Sequence, residues 1–153
     1  MGLKPFRPRR SHASSHSNET RPDVLLAITA GGALGSPARY ALSRVIPVAR
    51  HGFPMATFTI NLTGALVLGF FLSLVIERFP PSEYARPFFA IGFLGSYTTY
   101  STLAVETATL VKDGRAAFGI GFAIASVVGG LAVAYLGVAT GRLVPVRHVS
   151  NRK

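Results

Sequence analysis

The stretch Gly92-Phe-Leu-Gly-Ser-Tyr-Thr-Thr-Tyr-Ser-Thr-Leu-Ala-Val-Glu106 is the most informative part of the sequence. It lies in an otherwise apolar segment, yet it contains two glycines, two serines, three threonines and a carboxylate. Polar groups inside a bilayer are costly unless they are paired or line an aqueous path. Runs of hydroxyl-bearing residues also weaken a helix, because their side chains compete for its backbone. The stretch therefore predicts a broken membrane helix that lines an ion or solute site.

The composition of the chain is that of a membrane protein. Of its 153 residues, 49% are hydrophobic and only 14% are charged, whereas a soluble domain carries about a quarter charged residues. The net charge of +10 would indicate nucleic-acid binding in a soluble protein. Here the basic residues lie in tails and connections, as in the cytoplasmic loops of membrane proteins. We therefore expect a lipid bilayer, and no nucleic acid, as a partner.

The chain divides into two polar tails and a central region with four apolar spans. The basic N-terminal tail, 1–22, cannot form a core and is predicted to be disordered. The central region, 23–142, has spans near 24–43, 55–76, 87–111 and 116–141, each with about the 20 residues that a bilayer requires. A basic C-terminal tail, 143–153, follows. The predicted fold class is an all-α membrane protein with four transmembrane helices, of which the third is broken mid-membrane.

Small residues recur at four-residue spacing in two spans, at Gly31 and Gly35 and at Gly137 and Gly141. Such pairs let helix backbones approach closely in lipid, either within one chain or between two subunits. Four thin helices can hardly enclose an aqueous path alone. We therefore predict a dimer as the working unit.

Two polar residues outside the third span each have two interpretations. Asn61 lies in the middle of the second span, where an asparagine either joins helices or donates hydrogen bonds to a passing anion. Arg39 lies late in the first span. Its side chain either snorkels or caps terminal carbonyls, or it draws anions to a pore mouth.

The third span carries the largest group of candidate site residues. Tyr100, Leu103 and Glu106 recur every three residues and are predicted to share one face, with Ser101 and Thr102 directed toward another wall. A buried carboxylate at Glu106 needs a partner or a proton. The backbone of residues 95–98 is predicted to unwind. Carbonyls freed by such a break are cation ligands of the kind that transporters use for Na⁺.

Three ordered motifs in the chain resemble the Fluc (CrcB) family of fluoride channels. They are Gly31-Gly-Ala-Leu-Gly-Ser-Pro-Ala-Arg-Tyr40, Thr57-Phe-Thr-Ile-Asn-Leu-Thr-Gly64 and Gly92-x-x-Gly-x-x-Thr-Thr-Tyr-Ser-Thr-Leu-x-x-Glu106. The resemblance covers nearly everything from residue 30 to residue 141. It implies a subunit of a fluoride-specific channel that exports cytoplasmic fluoride by passive flux and so reduces its toxicity.

The resemblance also implies an assembly and the roles of individual residues. Family members are dimers of antiparallel subunits, with a structural Na⁺ at the dimer centre held by carbonyls that correspond to those of Gly95 and Thr98. The residues that match the pore or fluoride path are Asn61, Tyr100, Ser101, Thr102, Leu103, Glu106 and Ser126, and the matching first-helix arginine is Arg39. The family usually has phenylalanine at positions 100 and 103. Tyr100 keeps an aromatic edge and Leu103 does not, so at least one of two ion paths is expected to be impaired.

The distribution of lysine and arginine predicts an orientation and a type of dimer. Eleven lie on the side of both termini and the second connection, against four on the other side, or five if Arg39 is counted there. This bias places both termini in the cytoplasm and the protein in the cell membrane as a multi-pass protein. A subunit that inserts equally both ways would be nearly balanced. Together with the missing aromatic edge at Leu103, the bias indicates that the chain is one half of an antiparallel heterodimer of homologous chains. A homodimer is the alternative.

Other classes of function fit the sequence less well. A small dual-topology cation or multidrug exporter needs a carboxylate inside its first span, and residues 24–43 contain none. A basic DNA-associated membrane protein would use the N-terminal tail. The sequence contains no recognisable nucleophile–base pair, and its four histidines lie in tails and loops. We therefore predict that the chain is not an enzyme.

Overall fold

The computed structural model describes residues 21–46, 52–77 and 82–145, which form helices joined by short turns. Helix α1 spans Pro22–Val45, α2 spans Met55–Glu77, and α3, Pro87–Leu94, has the wider hydrogen bonding of a π-helix. A single α-helical turn, Gly95–Tyr97, continues α3; α4 then spans Tyr100–Lys112 and α5 spans Ala116–Arg142. Most of the two predicted tails, at 1–20 and 146–153, lies outside the described residues.

Helical segments occur where the sequence predicts its four spans. The ends of α1, α2 and α5 fall within two residues of the predicted boundaries. Among the described residues, two helical stretches are long and apolar enough to cross a membrane, Met55–Val75 within α2 and the whole of α5. Helix α1 is long enough but contains Ser36, Pro37 and Arg39, and the third predicted span is divided among shorter segments.

Glycines allow two pairs of helices to pack backbone against backbone. A side chain at Gly137 of α5 would collide with the Leu66 carbonyl of α2, and one at Gly69 of α2 would collide with the backbone of α5. Gly31 and Gly35 of α1 lie in the same way against the backbone of α3. The small-residue pairs at 31 and 35 and at 137 and 141 thus serve packing within one chain, which is one of the two uses that the sequence left open.

We expect Gly137→Ala to destabilise the protein by about 1–3 kcal/mol, because the added methyl group has no room against the α2 backbone. Gly130→Ala on the same helix is the matched control, since a Cβ there meets nothing within 4 Å among the described residues. Thermal unfolding of the detergent-solubilised protein measures both. Equal melting temperatures for the two variants would contradict the close packing of α2 and α5.

Polar contacts connect the start of α1 with the segment that leads to α3, at one end of the bundle. The guanidinium of Arg21, just before α1, bonds the Asp23 carboxylate at 2.8 Å and the Glu83 carboxylate at 2.7 Å. The Tyr84 hydroxyl donates to Asp23 at 2.8 Å. These groups are exposed, so each pair contributes little to stability. They nevertheless show that α1 and the segment leading to α3 start at the same end.

Aromatic rings close the other end of the bundle. Phe53, before α2, packs edge to face on Phe58 and Phe122, with ring centroids 5.1 and 5.2 Å apart. Phe122, near the start of α5, is completely buried. The turn from α4 to α5 contains Gly114, whose φ of 77° lies in the left-handed region that favours glycine. The starts of α2 and α5 therefore meet at this end.

Candidate functional site

The third predicted span is interrupted between the turn Gly95–Tyr97 and α4. Thr98 has φ −78° and ψ 160°, and Thr99 has φ −146° and ψ 118°, so both residues are extended. The residues at 95–97, which were predicted to unwind with Thr98, form a helical turn instead. The interruption therefore lies further along the chain than the sequence predicts, at residues 98 and 99.

Asn61 of α2 contacts the interruption and forms two hydrogen bonds with the Thr99 backbone, one as acceptor and one as donor. The Thr99 N–H donates to Asn61 Oδ1 at 2.9 Å, and Asn61 Nδ2 donates to the Thr99 carbonyl at 2.9 Å. A primary amide carries the same donor and acceptor groups as a peptide, so Asn61 replaces a neighbouring peptide group here. The side chain thus joins two helices, which was one of its two predicted roles.

The Thr99 side chain begins α4. Its Oγ1 accepts the Thr102 N–H at 3.1 Å and donates to the Thr102 hydroxyl at 3.0 Å, and it lies 3.2 Å from the Ser101 hydroxyl. A threonine in this position satisfies an N–H that the first turn of a helix leaves without a partner. Thr99, which is 8% exposed, was not among the predicted site residues. A helix-capping pattern after the predicted break is the signal that would have identified it.

Two backbone N–H groups are thereby diverted from their usual helical acceptors. In a continuous α-helix, the N–H of residue 99 would donate to the Gly95 carbonyl and that of residue 102 to the Thr98 carbonyl. Here they donate to the side chains of Asn61 and Thr99. The carbonyls of Gly95 and Thr98, which the resemblance implies as cation ligands, are therefore the two that lose these donors.

A first cavity of about 340 Å³ lies on one side of the interruption. Its lining is largely apolar and includes Asn61, Thr99, Tyr100 and Leu103. The Tyr100 side chain is 81% exposed, whereas Leu103 is buried. This cavity brings together the amide of Asn61 and the ring of Tyr100, which were predicted site residues, and the hydroxyl of Thr99, which was not.

A second cavity, of about 540 Å³, lies on the other side and is much more polar. Its basic residues are Arg39 and Arg44 of α1, and its hydroxyls include those of Ser101 and Thr102. Glu106 and the buried Thr57 of α2 also line it. Further lining residues are Ser36, Tyr40, Ser43, Ala56, Ile60 and Thr99.

The placement of Glu106 corrects one prediction from the spacing. Tyr100 and Leu103 line the first cavity, whereas Glu106 lines the second with Ser101 and Thr102. An α-helix turns by about 100° per residue, so six residues leave Glu106 about 120° from Tyr100 and about 40° from Thr102. Three-residue spacing therefore predicts a shared face correctly for Tyr100 and Leu103, which are one interval apart, but not for Tyr100 and Glu106, which are two intervals apart.

Thr99 lines both cavities and, among the described residues, is the only one that the two linings share. It forms part of the wall between the apolar cavity and the polar one. Ser126, in contrast, lies on α5 and belongs to neither lining. It is buried, and its hydroxyl has no hydrogen-bond partner among the described residues. The structure thus brings together the site residues of α1, α2 and α4, and it leaves Ser126 apart.

Comparison with known proteins identifies relatives over most of the chain. The family described as CrcB-like protein, Camphor Resistance (CrcB), matches residues 26–138. A protein of Streptomyces avermitilis named fluoride-specific ion channel FluC 3 is 45% identical over 129 residues, which is 84% of this chain and 63% of that protein. The chain thus spans slightly less than two thirds of that relative.

Two further relatives are matched over nearly their whole length. Fluoride-specific ion channel FluC 1 of Mycolicibacterium paratuberculosis is 41% identical over 81% of this chain and 94% of its own. Fluoride-specific ion channel FluC of Chlorobaculum tepidum is 38% identical over 78% of this chain and 94% of its own. None of these names supports the exporter or the DNA-associated protein that the sequence left as alternatives.

The matches, together with the two apolar helices, identify the chain as a membrane protein. Because these relatives are named as ion channels, they also confirm the prediction that the chain is not an enzyme. The motifs around Arg39, Asn61 and Thr98 all lie inside the matched region, 26–138. On this evidence the chain belongs to the CrcB family.

Proposed function

We propose that the chain is a subunit of a fluoride-specific channel through which cytoplasmic fluoride leaves the cell passively. The names of its relatives support this function. The observation that carries the proposal is the pair of cavities that meet at Thr99, at the interruption between Tyr97 and Tyr100. We propose that this interruption is the mid-membrane break of the third transmembrane helix.

The polar groups around the two cavities suit the chemistry of fluoride. A small, strongly hydrated anion enters a pore only where protein donors replace its water. The hydroxyls of Ser101 and Thr102 and the amide of Asn61 are such donors, and the ring edge of Tyr100 adds a positively polarised surface. Ser126 is proposed as a further residue of the path only on the basis of its motif position.

The basic residues of the second cavity favour anions at its mouth. Arg39 and Arg44 both line that cavity, against a single acidic residue in the described part of its lining, and a cleft with an excess of one sign of charge concentrates ions of the opposite sign. The carboxyl group of Glu106 lies in the same lining. We propose that the cavity is the vestibule through which fluoride enters, and that Arg39 draws anions to it.

The working unit in this proposal is an antiparallel dimer in the cell membrane. Tyr100, at the start of α4, is 81% exposed beside the interruption, where a second subunit would cover it. The charge bias of the sequence supports both termini in the cytoplasm. The shared end of α1 and of the segment before α3 agrees with a second connection on that same side.

A structural Na⁺ at the dimer centre fits the backbone of the interruption. Among the described residues, no group of histidine and acidic side chains offers a metal site. The carbonyls of Gly95 and Thr98 are suitable ligands because their usual donors, the N–H groups of residues 99 and 102, bind elsewhere. When bound, the ion would supply a fixed positive charge where the two subunits cross.

Growth of a fluoride-sensitive bacterial host tests the proposed function. Expression of the chain, together with its homologous partner if it has one, is expected to restore growth at fluoride concentrations that stop the host. Restored growth should accompany a fall in cytoplasmic fluoride. Expression in the membrane without any change in fluoride tolerance would count against the proposal.

We expect Leu103→Phe to raise the fluoride flux of the reconstituted chain by about threefold or more, because the ring adds a polarised edge to the path. Leu103 borders the cavity of about 340 Å³, which leaves room for the larger side chain. Leu103→Met is the matched control, since it conserves volume without adding a ring. Equal flux from the two variants would show that an aromatic edge at this position is not what limits the path.

A further inference from the structure

We propose that Asn61 is a positioning residue that holds the third helix interrupted and keeps the Gly95 carbonyl available. The two bonds between its side chain and the Thr99 peptide, both 2.9 Å long, carry this inference. They connect residues 38 positions apart in the chain, so no local sequence effect produces them. This role is distinct from donating a hydrogen bond to an anion, and both are compatible.

The hydrogen bond that the Thr99 N–H donates determines whether the Gly95 carbonyl receives its usual helical donor. With Asn61 Oδ1 as its acceptor, the N–H points away from the preceding turn, and the helix cannot continue through residue 99. Without that acceptor, the N–H of a residue that is 8% exposed must either remain without a partner or return to the Gly95 carbonyl. Each outcome alters the interruption.

The geometry also explains how one amide serves two purposes. An asparagine side chain has two N–H groups, and the Thr99 carbonyl uses one of them. Asn61 also lines the cavity of about 340 Å³, so the second N–H remains for a ligand in that cavity. The same side chain therefore links the backbone that would hold a cation to the path that would carry the anion.

Gly64, one turn further along α2, supports the same contact. A Cβ at Gly64 would collide with Cγ2 of Thr98, so this glycine lets α2 approach the interruption closely. Thr63 lies beside it, and its hydroxyl is 2.8 Å from the Tyr97 hydroxyl. The contact between Thr63 and Tyr97 joins two side chains, and among the described residues the Thr63 hydroxyl otherwise bonds only the Thr59 and Ile60 carbonyls of its own helix. Thr63 is therefore a suitable control for a role that acts through the backbone of the interruption.

The inference rests on the proposed function only in naming Na⁺ as the ion that the freed carbonyl binds. The test therefore measures amide hydrogen exchange of the full chain in detergent, without fluoride, in NaCl and in N-methylglucamine chloride. We expect exchange at residue 99 to be about tenfold faster in Asn61→Ala than in the unsubstituted protein, because a bond to a buried N–H is lost. In the unsubstituted protein we expect exchange at residue 99 to be slower in NaCl than in N-methylglucamine chloride. This difference should disappear in Asn61→Ala.

Asn61→Asp and Thr63→Val separate the proposed role from a general loss of packing. Asn61→Asp keeps the oxygen that accepts the Thr99 N–H and should retain slow exchange, and Thr63→Val should behave like the unsubstituted protein. If Asn61→Ala does not fold, Asn61→Ser replaces it, since a serine hydroxyl is too short to make both bonds. If Na⁺ changes nothing in the unsubstituted protein, the sodium site fails, and exchange at residue 99 still decides the positioning role. Exchange that is the same with asparagine, alanine or serine at position 61 would overturn the inference.

Discussion

Replacing Thr99 by valine is expected to lower fluoride flux at least about tenfold. Valine keeps the shape of the side chain but loses the hydroxyl that accepts the Thr102 N–H at 3.1 Å, and the loss of such a cap costs about 0.5–2 kcal/mol. The change also makes the wall between the two cavities less polar at the point that they share. A fluoride electrode that follows efflux from liposomes measures the effect.

Thr109→Val is the matched control for this substitution. Thr109 lies on the same helix, and its exposed hydroxyl donates only to the Val105 carbonyl of that helix, at 2.8 Å. We expect its flux to equal that of the unsubstituted protein. If Thr99→Val and Thr109→Val conduct equally well, Thr99 does not form part of the ion path.

The largest loss of flux is expected for Asn61→Leu, about a hundredfold or more. Leucine has a similar volume but removes two hydrogen bonds to the Thr99 backbone together with the donor that lines the first cavity. Leaving a buried donor or acceptor without its hydrogen bond costs about 1–3 kcal/mol, so two such losses account for a decrease in flux of this size. Both liposome efflux and the growth of a fluoride-sensitive host should report it.

Val67→Leu controls for insertion and folding of α2. Val67 lies on the same helix with an exposed side chain that lines neither cavity. The variant should conduct and protect the host as the unsubstituted protein does. Protection that persists in Asn61→Leu would contradict the proposed path through the first cavity.

Much of the helical framework follows from the sequence, because hydropathy and span length are local properties. The predicted boundaries of the first, second and fourth spans differ by at most two residues from α1, α2 and α5. The weak point of the third span was also predictable, since glycines and hydroxyl-bearing residues gather between Gly92 and Thr102. Its exact position was not, because Asn61, on another helix, determines which backbone groups lose their helical partners.

The arrangement of the candidate site was predictable only in part. All of the predicted site residues except Ser126 line one of the two cavities, among them Arg39, Asn61 and Thr102, but they make up less than half of the described lining residues. The sequence did not identify Thr99, whose importance comes from its position between the cavities and from capping α4. It also assigned Glu106 to the wrong face, because small rotational offsets accumulate along a helix.

Flux of fluoride and of chloride from liposomes tests the central claim most directly. The protein is reconstituted alone and with its homologous partner, and efflux is started by an ionophore that carries the balancing cation. We predict rapid loss of fluoride from the liposomes, driven only by its gradient, while chloride is retained. Fluoride flux that requires the partner would support the heterodimer, and fluoride flux from the chain alone would support the homodimer. Equal release of both anions, or no fluoride release in either preparation, would contradict the assignment of this chain as a fluoride-specific channel subunit.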